Sequence, residues 1–129
     1  FFSSAIVGGC LSIALGTAIA IKRKGKARHV WCFVGDMASH TGIFHECTKY
    51  AKNFNLPISF VIEDNSYSVN TPTREVWGID GRPSSDEEIY SMWGYPLPTG
   101  RIFQLDSNIL YYRYERGFPH AGTGVWLKF

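Results

Sequence analysis

Two short stretches combine residue types and spacing that could do chemistry. Gly35-Asp36-Met37 closes the apolar run Val30-Trp31-Cys32-Phe33-Val34, and Glu63-Asp64-Asn65 closes the run Ile58-Ser59-Phe60-Val61-Ile62. A carboxylate at Asp36 and an amide oxygen at Asn65 are hard oxygen donors of the kind that bind Mg²⁺ or Ca²⁺. One carboxylate and one amide leave such an ion under-coordinated. Mg²⁺ commonly completes its octahedron with water and substrate phosphates, so the pair suggests a Mg²⁺–diphosphate site. Asp and Asn are also common helix caps and turn formers, so taken singly both uses stay open.

The elements that must position these residues follow from the pattern around them. Both apolar runs are continuous, β-branched and aromatic, which predicts short strands buried on both faces. Between them Ile43, Phe44, Cys47, Tyr50, Ala51 and Phe54 recur at helical spacing. That spacing predicts an amphipathic helix starting after Met37. Strand, helix and strand of this length make a βαβ unit with parallel strands. Asp36 and Asn65 would then both lie just past the carboxyl ends of strands, where open α/β sheets bind ligands. The free N–H groups of the following helix would face a phosphate there.

The stretch GDMASHTGIFHECTKYAKNFNLPISFVIEDNSYSVNTPT resembles the thiamine diphosphate motif. More narrowly, it resembles the alpha subunit of the first, decarboxylating component of 2-oxo acid dehydrogenases of the pyruvate, acetoin and branched-chain type. Gly42, Glu46, Leu56-Pro57, Asn65-Ser66-Tyr67 and Thr71-Pro72 fit that branch, and AIVGGCLSIALGTAIAIKRKG resembles the glycine-rich helix that leads to the motif. The likeness covers roughly the first 75 residues, a longer span than a lone short motif offers.

The resemblance implies a fold, a cofactor and partners. The fold would be α/β: a parallel-sheet thiamine diphosphate-binding fold of three α/β/α layers, incomplete here, with a short C-terminal β-rich tail. Residues 1–75 would form the cofactor-binding core and 76–129 a loop, short helix and strands of the same domain. Mg²⁺ would be held by the Asp36 carboxylate, the Asn65 side-chain oxygen and the Tyr67 carbonyl. The backbone at Met37 and Ala38 would meet the diphosphate, and that near Ala5 and Val7 the aminopyrimidine ring. Thiamine diphosphate would carry the carbanion chemistry of 2-oxo acid decarboxylation, and the protein would bind and orient it. A beta subunit would complete the site in a heterotetramer, and a lipoyl domain or another acceptor would take the product. The location implied is the cytoplasm, or the mitochondrial matrix in a eukaryote.

The sequence departs from that pattern at two points. Met37 stands where the family usually has glycine, the residue chosen for close approach or positive φ. Asp64 stands where the first Asn of a pair would be. A divergent catalytic subunit, a degenerate paralogue kept for assembly and a transketolase-like enzyme are the readings these changes leave. The chain opens on Phe1-Phe2, so an N-terminal portion carrying further diphosphate ligands is expected to be missing.

Composition sets the bounds. With 129 residues, 45% hydrophobic and 16% aromatic, the chain can bury one core. A net charge of +2 is too small to argue for nucleic acid. Cys10, Cys32 and Cys47 form no CxxC pair, which disfavours a zinc site or a disulfide framework. Free buried thiols fit a reducing compartment. Ala5–Ile21 is nearly uncharged, but it is rich in glycine and shorter than the roughly 20 residues of a membrane span. Its Gly8, Ser12, Gly16 and Ala20 recur every fourth residue, which suggests a buried helix at a subunit interface rather than a membrane helix. Lys22 to Arg28 would be its solvated end, and Gly25 its terminator.

Beyond Thr71 the pattern predicts a loop to Pro83 and a short helix over Asp86–Trp93. Strands are expected at 102–105 and 109–114 around a turn at Asp106-Ser107-Asn108. Among the histidines, His40 lies beside the expected diphosphate and is a weak candidate for chemistry. His120 sits in a glycine-rich loop with Gly122-Thr123-Gly124, too short to be a phosphate loop. His29 is expected at the surface, and His45 could face a partner.

Overall fold

The structure, a computed structural model, describes residues 2–78 and 100–117. Helix α1 spans Leu11–Arg23. It is followed by strand β1 (Val30–Gly35), a one-turn helix α2 (Asp36–Ser39), helix α3 (Gly42–Asn53) and strand β2 (Ile58–Asp64). Two-residue strands β3 (Tyr67–Ser68) and β4 (Thr71–Pro72) form a small hairpin that leads into the short helix α4 (Thr73–Val76). Strands β5 (Ile102–Asp106) and β6 (Ile109–Arg113) come last. The Asp86–Trp93 helix, His120 and the 122–124 glycines lie outside the described residues.

The main sheet has four strands in the order β1-β2-β6-β5. β1 and β2 run parallel, with Val30 opposite Ile58 and Val34 opposite Ile62, as the βαβ pattern requires. β6 lies parallel on the other side of β2, and β5 pairs antiparallel with β6. The hairpin turns at Ser107-Asn108, where the sequence predicts it, with a register shift between Gln104 and Asp106. The described fold is therefore mixed α/β with a parallel-strand sheet.

The core lies on one face of this sheet. Cys32 and Val34 of β1, Ile58, Phe60 and Ile62 of β2, and Ile109 and Tyr111 of β6 pack there against Leu11 and Ala18 of α1 and Phe44, Cys47 and Ala51 of α3. The buried stripe of α3 is Phe44, Cys47, Thr48 and Ala51, the i, i+3, i+4, i+7 set of one helix face. Ile43, Tyr50 and Phe54, expected on that face, are exposed. A 100° stripe is too narrow to hold all six apolar positions.

β1 also differs from expectation. It alternates instead of being buried throughout, with Trp31 56% and Phe33 55% exposed. Among the described residues no helix covers that face. Strand residues one apart point to opposite sides, so half of β1 depends on what lies against the second face.

α1 begins at Leu11, later than the apolar run suggests, because positive φ at Gly8 (+73°) turns the chain before it. Its end matches the expectation at Gly25. The N–H of Lys26 donates to Ile21 O at 3.1 Å and that of Gly25 to Lys22 O at 3.0 Å, with Gly25 at φ +57°. This paired arrangement satisfies carbonyls that a helix end leaves open, and a left-handed φ there favours glycine. Lys22 is more than a solvated charge, since its ammonium donates to the carbonyls of Phe54 and Asn55 at the end of α3. Ser12, Gly16 and Ala20 of the small-residue stripe are exposed. No described helix is long and apolar enough to cross a membrane.

Candidate functional site

The carboxyl ends of β1 and β2 bring the sequence-predicted residues to one edge of the sheet. Ala5, Val7, Asp36, Met37, Ala38 and Tyr67 all line a single open cavity of about 230 Å³, together with Ser4, Gly8, Cys10 and Phe33. Asn65 is not among the lining residues and sits just behind Tyr67 in the chain. Gly8 holds the 4–10 segment against this cavity. A Cβ there would come within 3.0 Å of the Ile43 side chain, at a φ that an L-residue adopts with strain.

Asp36 is the most unusual group in the site. It is 6% exposed, and its Oδ2 is buried without a hydrogen-bond partner. Such an atom is costly unless something else compensates it. Burial is the main cause that pushes its carboxyl up to about 6; nearby Thr73 opposes the rise and the Asp64 charge adds to it. Thr73 Oγ1 is likewise buried and unpartnered at good geometry. A buried carboxylate oxygen at a sheet edge, with the Thr73 hydroxyl beside it, fits an oxygen-seeking cation.

Asp64 differs from Asp36 although both are buried. Its Oδ1 accepts the Ser66 N–H at 2.7 Å and its Oδ2 accepts the Tyr111 hydroxyl at 2.5 Å. Both oxygens are therefore engaged within the protein. The departure from Asn at this position adds a charge, and each oxygen keeps acceptor capacity beyond its one partner.

Asn65 forms the turn that its residue type permits. Its Oδ1 accepts the Tyr67 N–H at 3.0 Å, and its Nδ2 donates to the Tyr114 hydroxyl at 2.9 Å. An amide oxygen has two lone pairs, so one remains for a ligand. Beyond it Ser66 (φ +64°) and Val69 (φ +56°) have left-handed backbone. For a β-branched residue this is a true outlier, and each such position costs on the order of 1–3 kcal/mol.

The long helix expected after Met37 is broken. α2 is one turn, and α3 starts afresh at Gly42. The reason is local: Ser39 Oγ donates to Asp36 O and Thr41 Oγ1 to Ala38 O, both at 2.7 Å. These hydroxyls compete with the helix ladder for its carbonyls, and Thr41 takes extended backbone (ψ 152°). Met37 lies within α2 and is absent from the positive-φ positions, so glycine is not needed there for conformation. Met37→Gly is expected to cost up to about 1 kcal/mol of stability through helix propensity. Affinity for the cofactor that the resemblance implies should stay within about threefold, as read by calorimetric titration beside a denaturation curve. A large loss of affinity would assign the methionine side chain a specific contact.

His40 does not line the cavity. It packs against Trp77 with ring centroids 5.6 Å apart, and burial, followed by the His45 charge, lowers its pKa. The loop expected from Thr71 instead contains β4 and α4, and α4 carries Thr73 to Asp36. The cysteines are free. Burial, with Cys10 next, pushes the Cys32 thiol up to about 12, so it is not a nucleophile.

Reading the sequence alone misses Thr73, Tyr111 and Tyr114. Thr73 follows Pro72 in an apparent loop, and the tyrosines lie in and just after β6, distant in the chain, so spacing carries no signal for any of them.

The comparisons with known proteins bear on the same half of the chain. The family model for the dehydrogenase E1 component matches residues 1–80. The alpha subunit of acetoin:2,6-dichlorophenolindophenol oxidoreductase from Bacillus subtilis (strain 168) is 41% identical over 70 residues, 54% of this chain and 21% of that protein. The corresponding subunit from Cupriavidus necator is 39% identical over 69 residues, 54% of this chain and 21% of that one. The pyruvate dehydrogenase E1 component subunit alpha of Staphylococcus aureus (strain Mu50 / ATCC 700699) is 36% identical over 67 residues, 52% of this chain and 18% of that protein. The matched stretch thus spans about a fifth of these relatives (21% and 18% in the two cases). With its cavity at the carboxyl ends of parallel strands and a match over residues 1–80, the chain belongs to the dehydrogenase E1 component family.

Proposed function

We propose that this chain is the cofactor-binding part of an alpha subunit that, with a beta subunit, decarboxylates a 2-oxo acid oxidatively using thiamine diphosphate and Mg²⁺. The observation that carries the reading is the buried, unpartnered Oδ2 of Asp36 at the cavity edge. It is supported by the alpha-subunit names of the relatives.

The residues present fit the group. Asp36 would hold Mg²⁺ through its carboxylate, Asn65 through Oδ1 and Tyr67 through its carbonyl. Among the described residues no three His, Cys, Asp or Glu gather as a metal set. The cation would therefore rely on amide, carbonyl, water and phosphate oxygens, which is the usual condition of Mg²⁺. Met37 and Ala38 would offer backbone to the diphosphate, and Ala5 and Val7 would stand against the aminopyrimidine. When bound, thiamine diphosphate supplies the carbanion stabilisation that 2-oxo acid decarboxylation needs. This chain's part is to orient the cofactor and to neutralise diphosphate charge through the metal. The activating groups of the beta subunit complete the site, and a lipoyl group or another acceptor takes the product. The three-layer α/β/α fold would place a further layer on the exposed Trp31–Phe33 face. The compartment proposed is the cytoplasm or the mitochondrial matrix.

Calorimetric titration of thiamine diphosphate into the full-length protein, with Mg²⁺ and then with chelator, tests the reading. Metal-dependent binding is expected, with no decarboxylase turnover from this subunit alone. Absence of binding in folded protein assembled with its beta subunit would favour the alternative, a paralogue that keeps the fold for assembly.

A further inference from the structure

The β5–β6 hairpin lies beyond residue 80, where the family match ends. Yet β6 and the residues after it contact the end of β2 and the loop that follows it at almost every step. The Tyr112 hydroxyl donates to Glu63 Oε1 at 2.5 Å, and the Tyr111 hydroxyl donates to Asp64 Oδ2 at the same distance. The Tyr114 N–H donates to Asp64 O at 2.9 Å, while its hydroxyl takes the Asn65 Nδ2–H. Arg113 reaches Ser66 Oγ at 3.5 Å. The Arg116 guanidinium lies 3.9 Å from the centre of the Tyr67 ring and donates to Val69 O at 2.6 Å.

We infer that residues 111–116 are a positioning strap for the metal loop 63–69. The inference rests on the metal reading proposed above for Asp36, Asn65 and Tyr67. Two observations carry it. The loop holds left-handed backbone at Ser66 and Val69, and such backbone persists only where its surroundings over-determine it. The strap supplies those surroundings, on the carbonyl of Val69 and on the side chain of Ser66. Further, the Asn65 amide is held at both ends. The Tyr67 N–H selects Oδ1 as the acceptor end, and Tyr114 Oη holds the amino end. An amide held in this way presents its remaining oxygen lone pair in one direction. Outer partners that orient a ligand commonly change metal affinity by 10–100-fold when removed.

Tyr111 and Tyr114 act through Asp64 and Asn65, so they are positioning residues. Tyr111 is fully buried, and its loss could unfold the protein. Tyr114 is only half-buried, so Tyr114→Phe is the decisive variant. In the metal-free, full-length protein, hydrogen exchange of the 65–70 amides should be about tenfold faster in Tyr114→Phe, the scale of one lost hydrogen bond. The thermal midpoint should stay within a few degrees. Mg²⁺ affinity, measured in the presence of thiamine diphosphate, should fall by about tenfold or more. Unchanged loop exchange overturns the strap, and faster exchange with unchanged Mg²⁺ affinity overturns its role in positioning the ligand. If the wild-type protein, assembled with its beta subunit, binds no Mg²⁺ with the cofactor, the functional reading fails, and the exchange comparison alone decides whether the strap holds the loop.

Discussion

Asp36→Asn is expected to abolish Mg²⁺-dependent binding of thiamine diphosphate and, in the same protein, to raise the stability of the metal-free form. The binding loss should be about a hundredfold or more, close to 3 kcal/mol. An amide keeps the shape of the carboxylate but removes the charge that the cation needs. The stability gain follows from linkage. The Asp36 carboxyl is raised from the ordinary 3.8 to about 6 in the folded protein, chiefly by burial. Below pH 4 the folded and unfolded chains both hold the proton, and Asp36 imposes no cost. Between pH 4 and 6 the unfolded chain releases the proton while the folded one retains it, so stability falls as pH rises. Above pH 6 both are ionised and the full cost is present, about 3 kcal/mol at 1.4 kcal/mol per unit. The Asn variant lacks this slope. Urea denaturation with chelator at pH 4, 5, 6 and 7.5 measures both curves. Parallel pH profiles for wild type and variant would refute the burial of an unpartnered carboxylate. Added Mg²⁺ should recover the wild-type loss at pH 7.5 and leave Asp36→Asn unchanged.

The second large effect is structural. Phe60→Ala should cost about 3–5 kcal/mol, a large share of the 5–15 kcal/mol that holds a typical domain together. Phe60 is fully buried in the middle of β2, the strand that carries Asp64 and Asn65 to the site. It faces Cys32 across β1 and Ile109 across β6, and its ring meets that of Phe44 edge-on with centroids 5.8 Å apart. Its loss removes apolar burial, leaves a cavity and breaks an aromatic pair that helps to join α3 to the sheet. Trp31→Ala, on the opposite face of β1, removes a larger side chain but one that is 56% exposed. It should cost under about 1 kcal/mol in the chain as described. Chemical denaturation of both variants gives the comparison. Equal losses would contradict the one-sided core and place a packed layer against Trp31.

Much of this arrangement is legible in the chain itself. Continuous apolar runs at 30–34 and 58–62 with a helical pattern between them already require parallel strands. They also put Asp36 and Asn65 at one sheet edge, because backbone geometry and patterning act over a few residues. The hairpin around Asp106-Ser107-Asn108 and the helix stop at Gly25 are local in the same sense. The resemblance at Gly35-Asp36 and Asn65-Ser66-Tyr67 adds the cofactor, which spacing alone leaves open.

Other features exist only once the chain is folded. Whether Trp31 or Cys32 is buried depends on which face of the sheet receives α1 and α3. Asp64 Oδ2 takes the Tyr111 hydroxyl and Glu63 Oε1 that of Tyr112, while Asp36 Oδ2 is buried with no hydrogen-bond partner among the described residues. Those partners come from β6, far along the chain, which enters the sheet beside β2. Local sequence pattern sets the strands and their ends. Which oxygens remain free is decided by long-range pairing, because a buried polar atom takes its partner from whatever the packing brings against it.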